Sequence, residues 1–217
     1  MIHDQIKAEL KRRLNEIESI NEAGRFIGKK GIPTGVSNRH VHLSQGDVEA
    51  LFGYGYQLTP IKDLKQPGQF AANECVTIVG PKGSIERVRV LGPTRDQTQL
   101  EISKADCYAL GIKAPVRESG DLHKSADALL VGPSGFTNLQ SKVICAQRHI
   151  HMTEGDANSF GVTNGQKVKV KAGDACGVVF DNVVIRVNEN YALEFHIDTD
   201  EANAAAIRNG ENVYLIN

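Results

Sequence analysis

The sequence predicts a mainly β protein built from two similar units, with an amphipathic helix at its N-terminus. Short segments of alternating apolar and polar residues are separated by turn residues, which is typical of barrels or sandwiches of antiparallel strands. A four-residue motif with similar flanks occurs twice, which indicates a duplicated unit. The N-terminal helical pattern, over residues 2–20, is cut off by a linker that contains glycine and proline.

The repeated motif is Arg-His-x-His, which occurs within residues 36–44 and again within residues 145–153. Each copy leads into a Ser/Thr-x-x-Asp pattern and then a Phe-Gly pair, so we expect a short capped helix after each copy. In a β-strand, residues i and i+2 point to the same face about 6.6 Å apart. The two histidines of each copy can therefore aim at one point.

The two histidine pairs, His40 with His42 and His149 with His151, have two interpretations. Each pair is either the polar edge of a strand, with its imidazoles bonded to backbone, or part of a metal site. Neutral imidazole is the commonest metal ligand in proteins. Because four of the seven histidines lie in these two places, the duplication favours metal.

A third potential ligand follows in each half. Aligning the strand ends of the two repeats places Glu101 opposite His196. An ordinary solvated glutamate is the alternative, but the correspondence favours a ligand. Three protein ligands with an open position are typical of a catalytic zinc site. Zinc suits this set of imidazoles and carboxylate best, and manganese, cobalt and iron accept the same ligands.

The composition excludes several classes of function. Hydrophobic residues make up 41% of the chain, and no apolar run approaches the roughly 20 residues that a membrane span requires, so we expect no membrane partner. Lys and Arg number 25 against 26 Asp and Glu, a net charge of −1 that argues against nucleic-acid binding. The four cysteines form no C-x-x-C pair and the N-terminus shows no secretory signal, so we expect a cytoplasmic protein.

Five motifs in chain order carry a resemblance to a known family. They are Gly-Val-Ser-Asn-Arg-His-Val-His-Leu (35–43), Gln-Pro-Gly-Gln-Phe-Ala-Ala (66–72), Gly-Pro-Lys-Gly (80–83), Gln-Arg-His-Ile-His-Met (147–152) and His-Ile-Asp-Thr-Asp-Glu-Ala-Asn-Ala (196–204). From about residue 32 to the C-terminus, the chain resembles the PduL-type phosphotransacylases, also called phosphate propanoyltransferases. The resemblance implies reversible transfer of a short acyl group, propanoyl or acetyl, between coenzyme A and inorganic phosphate.

The resemblance also implies an architecture of two interleaved β-barrels with short capping helices. Residues 24–38 and 147–217 would form barrel one, and residues 39–146 would form barrel two. Residues 1–23 would be the amphipathic N-terminal helix. The sequence repeat alone suggests two consecutive units, so these boundaries follow the family.

By resemblance, two zinc ions lie between the barrels. His40, His42 and Glu101 would hold one ion, and three histidines would hold the other: His149, His151 and His196. The coenzyme A thiolate would complete the first zinc site. Arg95 would be the catalytic, phosphate-binding residue, because a guanidinium fork suits bidentate capture of phosphate. A surface ion pair with Asp96 is the alternative role for this arginine.

Contacts to coenzyme A are expected from a segment that has no counterpart in the second repeat. Residues 58–73 look like a loop, and inserted loops near a site often carry substrate contacts. We expect Lys62, Lys65 and Gln69 of this segment to bind coenzyme A or acyl-CoA, together with Asn203 after the last ligand.

Some members of the family carry an N-terminal helix for entry into a bacterial microcompartment. Residues 1–23 are therefore expected to bind shell or core proteins of such a compartment, and packing of the helix on its own domain is the alternative. A homo-oligomer is a further expectation. Two other functions compete with acyl transfer between acyl-CoA and acyl phosphate: a metal-dependent acyl-CoA or phosphoester hydrolase, and a non-enzymatic metal-binding scaffold.

Overall fold

The structure is a computed structural model that describes residues 6, 7, 9, 10, 12, 13, 30–173 and 176–216. The chain divides into two compact units, Met1–Gly31 and Ile32–Asn217. Positions 6, 7, 9, 10, 12 and 13 of the first unit are helical, and Glu9 accepts hydrogen bonds from Arg12 and Arg13 at 2.9 and 3.1 Å. The rest of the predicted helix over residues 2–20 lies outside the described residues.

The second unit is built mainly from short strands. Across its described residues the strands are β1 (Ile32–Ser37), β2 (His40–Ser44), β3 (Pro60–Asp63), β4 (Phe70–Val79), β5 (Ser84–Arg95), β6 (Gln99–Glu101), β7 (Val116–Arg117), β8 (Ala126–Val131), β9 (Phe136–Ala146), β10 (His149–Met152), β11 (Lys167–Ala172), β12 (Val178–Val187), β13 (Glu194–Asp198) and β14 (Asn212–Ile216). The helices are α1 (Gln45–Phe52), α2 (Lys104–Leu110), α3 (Glu154–Phe160) and α4 (Thr199–Ala204). No helix within the described residues has the length and hydrophobicity to cross a membrane.

Two six-stranded barrels account for most of the strands. Barrel one closes in the order β1-β13-β10-β12-β11-β14. Barrel two closes in the order β4-β5-β2-β6-β9-β8, with β3 added to β4 and β7 added to β9. Each barrel has its own apolar core, around Phe195 in barrel one and Leu100 in barrel two. The predicted fold class, mainly β with two interleaved barrels, is confirmed.

The two histidine strands have equivalent neighbours. β2 pairs in parallel with β5 and antiparallel with β6, and β10 pairs in the same way with β12 and β13. β9 and β1 then lie parallel to β6 and β13. This equivalence extends the sequence repeat from one motif to the pairing of whole strands.

The chain passes between the barrels at two equivalent points. β1 pairs in barrel one and β2 in barrel two, so the chain crosses at Asn38 and Arg39. β9 pairs in barrel two and β10 in barrel one, so it crosses back at Gln147 and Arg148. Treating the barrels as separate domains, with boundaries at 38/39 and 146/147, stays a prediction.

Capping fixes the end of every strand that carries a candidate ligand. Ser44 and Thr153, directly after the histidine pairs, are the N-caps of α1 and α3. Ser103 and Asp198 are the N-caps of α2 and α4, each two residues after a third candidate ligand. A cap side chain satisfies a helix amide that has no intrahelical partner, so these four turns hold the strand ends in place.

The expected loop over residues 58–73 is partly a strand pair. Pro60 to Asp63 form β3, which runs antiparallel to the beginning of β4, and only the residues between them form a turn. The prediction of a loop was therefore wrong for β3 and the beginning of β4, where prolines, lysines and glycine obscure the strand pattern of an exposed edge hairpin.

Candidate active site

The first group of candidate ligands lies on two neighbouring strands of barrel two. His40 and His42 are on β2, and Glu101, on β6, lies directly opposite His40 in the antiparallel register. His40 Nε2 is 3.5 Å from Glu101 Oε2. The three potential ligand atoms lie within 4.8 Å of one another, so this first trio can contact a single ion.

The second group repeats the arrangement in barrel one. His149 and His151 are on β10, and His196, on β13, lies directly opposite His149. The rings of His149 and His196 are nearly parallel, with centroids 4.9 Å apart. Again the potential ligand atoms lie within 4.8 Å of one another, which makes this set a second trio.

The crossover residues orient the first histidine of each pair. His40 Nδ1 lies 2.8 Å from the carbonyl oxygen of Asn38, and His149 Nδ1 lies 2.8 Å from that of Gln147. A carbonyl can only accept a hydrogen bond, so Nδ1 carries the proton and donates it. The lone pair of each ring is therefore on Nε2, which is how backbone carbonyls commonly fix metal-binding imidazoles.

The second histidine of each pair is buried with unused polar atoms. Among the described residues, His42 Nδ1 and both ring nitrogens of His151 have no hydrogen-bond partner. The two side chains are only 3% and 8% exposed. A buried polar atom without a partner costs about 1–3 kcal/mol, and a metal ion held by each trio would supply a partner for one nitrogen of each ring. The residues present thus fit two divalent cations.

Three of these histidines, His42, His149 and His151, remain neutral well below neutral pH. Burial lowers the pKa of His42 to about 3, with further lowering by His40 and Arg95. Burial and then His196 lower the pKa of His149 to about 4. Burial and the two neighbouring histidines lower the pKa of His151 to about 2. A neutral imidazole binds a metal without first releasing a proton, so these three side chains are ready for a cation at pH 7.

Glu101 is held as a carboxylate. Burial by itself raises its pKa, but His40, His42 and His149 lower it, and the net shift is downward. Its Oε1 accepts hydrogen bonds from Gln99 Nε2 at 2.6 Å and from Ser119 Oγ at 3.3 Å. Because His149 belongs to the second trio and still affects Glu101, the two trios share one electrostatic environment.

His196 has a supporting carboxylate that the sequence analysis missed. Its Nε2 lies 2.9 Å from Glu194 Oε2, and Gln66 Nε2 donates to the same oxygen at 3.2 Å. Lys65 Nζ lies 3.7 Å from the other oxygen of Glu194. The spacing of two residues could have revealed this pair, since Glu194 and His196 share a face of β13 just as the paired histidines share a face of theirs.

Gly35 makes room for this supporting carboxylate. A Cβ atom at Gly35 would lie 2.7 Å from Cδ of Glu194, closer than real contacts allow. β1 pairs with β13 in a register that places Gly35 opposite His196. A larger residue at position 35 would therefore push Glu194 away from the histidine that it supports.

Two arginines reach the same cleft. Arg95 lies at the end of β5, and burial lowers the pKa of its guanidinium. Arg186, which the sequence analysis also missed, lies opposite His151 in the β10–β12 register, with its guanidinium 6.0 Å from the centre of the Tyr191 ring. Across the described ranges no carboxylate forms an ion pair with either arginine, Asp96 included. Both positive charges are available to an anion.

One cleft of about 750 Å³ connects these groups. Both trios, Arg95, Arg186 and Tyr191 line it. Among the residues expected to bind coenzyme A, Lys62, Lys65 and Gln69 line the cleft. Asn203 instead lies exposed on α4, outside the lining.

Comparison with known proteins gives a consistent result. The family profile described as phosphate propanoyltransferase matches residues 33–208. A phosphate propanoyltransferase of Thermotoga maritima is 53% identical over 203 residues, which cover 92% of this chain and 96% of the relative. One from Priestia megaterium is 56% identical over 184 residues, 85% of each chain. One from Enterococcus faecalis is 42% identical over 210 residues, 94% of this chain and 100% of the relative.

Fold, cleft and sequence similarity together define an enzyme of the phosphate acyltransferase class. All six residues of the two candidate ligand trios lie within residues 33–208, the region that the profile covers. More particularly, the chain belongs to the phosphate propanoyltransferase family.

Proposed function

We propose that the protein transfers a short acyl group, propanoyl or acetyl, reversibly between coenzyme A and inorganic phosphate, with two zinc ions held by the two trios. One observation carries the proposal. Two sets of buried, converging ligands open into the same cleft beside two arginines that have no carboxylate partner among the described residues. Family membership supports the choice of phosphate and acyl group.

The residues of each trio would hold the zinc through oriented lone pairs. When bound, two such ions supply Lewis-acid chemistry, which polarises a carbonyl and makes a thiolate a better leaving group. The carbonyls of Asn38 and Gln147 orient His40 and His149, and Gln99 steadies the carboxylate of Glu101. These contacts limit rearrangement of the protein when a cation or a substrate enters.

Arg95 and Arg186 would bind the phosphate or the phosphoryl end of the acyl phosphate. A guanidinium donates two parallel hydrogen bonds to phosphate oxygens, and a partly buried cation interacts with an anion more strongly than an exposed one does. Tyr191 stacks on His151 with centroids 4.1 Å apart and lies beneath Arg186, so it limits the positions open to this arginine.

We expect phosphate to attack the thioester carbonyl directly. A phosphate oxygen forms the new bond to the acyl carbon, the carbon–sulfur bond breaks, and the thiolate of coenzyme A leaves. No acyl-enzyme intermediate is required for this exchange. In the reverse direction the thiolate attacks the acyl phosphate and phosphate leaves.

The hairpin of β3 and β4 would contact coenzyme A. Lys62, Lys65 and Gln69 line the cleft on this hairpin, and ammonium groups are suited to the phosphates of the cofactor. The proposed contact of Asn203 has support only from the family motif. Binding of coenzyme A to the Lys62→Ala and Lys65→Ala variants, measured by calorimetry, tests this part of the proposal.

The decisive experiment measures thiol release from propanoyl-CoA with and without phosphate. Acyl transfer requires phosphate and yields propanoyl phosphate in equal amount. A metal-dependent hydrolase releases thiol without phosphate, and a scaffold protein releases none; either result would overturn the proposal. A panel of acetyl-, propanoyl- and butanoyl-CoA then ranks the acyl groups. Metal analysis of the purified protein distinguishes zinc from manganese, cobalt or iron.

Residues 1–23 are proposed to direct the enzyme into a bacterial microcompartment within the cytoplasm. The described positions Ile6 and Leu10, one helical turn apart, both expose apolar side chains that a shell or core protein could bury. Deletion of residues 1–23 should leave acyl transfer intact and abolish encapsulation of a fluorescent fusion. An inactive truncation contradicts this division of roles. Formation of a homo-oligomer stays a prediction that light scattering tests.

A further inference from the structure

The arginine of each Arg-His-x-His motif forms an ion pair with the helix that follows the third ligand of the same trio. Arg39 Nη2 lies 2.7 Å from Asp106 Oδ1, and Arg148 Nη1 lies 2.6 Å from Glu201 Oε1. The Nε of Arg39 also donates to Asp106 Oδ1, at 2.8 Å. The motif is duplicated, and so is this contact.

The two carboxylates occupy equivalent positions. Asp106 and Glu201 are the third residues of α2 and α4, the helices that follow the third ligands. The oxygen not used by the arginine accepts the amide proton of the N-cap residue, from Ser103 to Asp106 and from Asp198 to Glu201, each at 3.1 Å. Each carboxylate therefore joins an arginine to the backbone two residues beyond a third ligand.

This contact links strands that have few other bonds between them. β6 is only three residues long, and its register with β2 runs from His40 opposite Glu101 to His42 opposite Gln99. β10 and β13 pair over three positions as well. Charge-assisted hydrogen bonds are roughly twice as strong as neutral ones, and Asp106 is 3% exposed, so the ion pair adds a substantial constraint to a short ladder.

Substrate binding is a poorer explanation for Arg39 and Arg148 than a contact within the protein is. Arg39 lines the cleft, but its guanidinium is occupied by Asp106, which raises the pKa of the arginine and so favours its charged form. Arg148 donates in addition to the carbonyl oxygen of Asp181. Both guanidinium groups are directed to the protein itself.

We infer that Arg39 and Arg148 are positioning residues, each of which holds the third metal ligand of its half in register with the histidine pair. This inference rests on the proposed function, since it assumes that the trios bind metal. Arg39 acts on the trio with Glu101, and Arg148 acts on the trio with His196. Removing a residue that holds a metal ligand in place, without itself binding the metal, typically lowers metal affinity by about 10- to 100-fold.

The test measures the two metal affinities separately. Metal-free full-length protein is titrated with Zn²⁺ against a chromophoric chelator, and Co²⁺ spectra report the geometry of each site. Glu101→Gln marks the signals of the first site. Arg39→Ala should weaken the first site about 10- to 100-fold and alter its Co²⁺ bands, while Arg148→Ala does the same to the second site. Arg39→Lys should restore part of the loss.

Arg117→Ala is the control, because Arg117 forms a longer and more exposed ion pair, 3.5 Å from Asp121, whose carboxylate is on no ligand-bearing segment. Thermal melts distinguish positioning from general stability. A purely structural role would lower the melting temperature of the metal-free variant and leave the metal-induced increase unchanged, which would overturn the inference. If Arg39→Ala does not fold, Asp106→Asn keeps an acceptor for the cap and serves as the second variant, with a loss again expected at the first site.

The outcomes separate the two proposals. A parental protein that binds no divalent metal contradicts the proposed function and the inference together. A parental protein that binds two ions, with variants that bind them equally tightly, contradicts the inference alone.

Discussion

Glu194→Gln tests how much Glu194, which belongs to neither trio, contributes to metal binding by the second trio. Glu194 is 7% exposed and accepts from His196 Nε2 at 2.9 Å and from Gln66 Nε2 at 3.2 Å. Burial by itself raises the pKa of Glu194, but His196, Gln66 and Lys65 lower it below its ordinary value, so the side chain is ionised at pH 7. Glutamine keeps the shape of the side chain and removes the charge.

The expected loss follows from the strength of the bond that changes. A hydrogen bond to a charged group contributes about 1.5–3 kcal/mol net, and about 1.4 kcal/mol corresponds to a tenfold change in an equilibrium constant. The second trio should therefore bind zinc about ten- to a hundredfold more weakly in the variant. The first trio should keep its affinity, because its own support comes from Gln99 and Ser119.

Chelator competition measures the two affinities, and steady-state acyl transfer at limiting zinc reports the consequence for activity. Glu189→Gln is the matched control, since the same substitution falls on an exposed residue of the turn before β13. If Glu194→Gln binds two zinc ions as tightly as the parental protein does, the carboxylate does not support His196 and the reasoning is wrong.

Three further predictions concern the arginines, the glycine beside Glu194 and the buried histidines. Arg186→Ala and Arg95→Ala should each raise KM for phosphate about tenfold or more and leave KM for coenzyme A unchanged. Arg87→Ala, on the exposed part of β5, should change neither constant. An unchanged KM for phosphate would mean that the arginine concerned does not bind phosphate. Gly35→Ala should displace Glu194 and weaken zinc binding by the second trio, while Gly46→Ala, with nothing within 4 Å of the added atom, should not; equal zinc affinities would contradict the contact. In metal-free protein the pKa of His149 is about 4, so the unfolded chain binds a proton near pH 6.5 while the folded chain does not. Stability should thus be lost as pH falls from 6.5 towards 4, by about 1.4 kcal/mol per pH unit for this residue. Urea unfolding should show a shallower loss in His149→Gln than in the parental protein, and a parental stability independent of pH in this range would refute the assignment.

The sequence was sufficient for the parts of the site that depend on local spacing. Residues that are two apart on a strand lie on the same face, so the sequence positions alone indicated that the two histidines of each pair point the same way. The correspondence between Glu101 and His196 came from the repeat, and the strand registers place both opposite the first histidine of their half. The capped turns after His42 and His151 were also readable from the Ser/Thr-x-x-Asp spacing.

Contacts between distant segments could not be read in this way. Gln66 approaches Glu194 only because the hairpin of one barrel meets a strand of the other, and no local pattern encodes that approach. Arg186 looked like an ordinary residue of an alternating strand until its register opposite His151 was known. The exchange of strands between barrels likewise depends on pairings across most of the chain, so the repeat alone suggested two consecutive units.

The exchange of strands has a consequence for how the protein is made. β1 is synthesised well before its partners β13 and β14, because most of the strands lie between them in the chain. Barrel two can close once β9 has emerged, whereas barrel one cannot close until β13 and β14 have emerged. Such long-range pairing is slow because a large loop must close before any contact rewards it. β1 therefore stays without its partners while the intervening strands are made, and we expect a chaperone that covers β1 to raise the yield of folded protein.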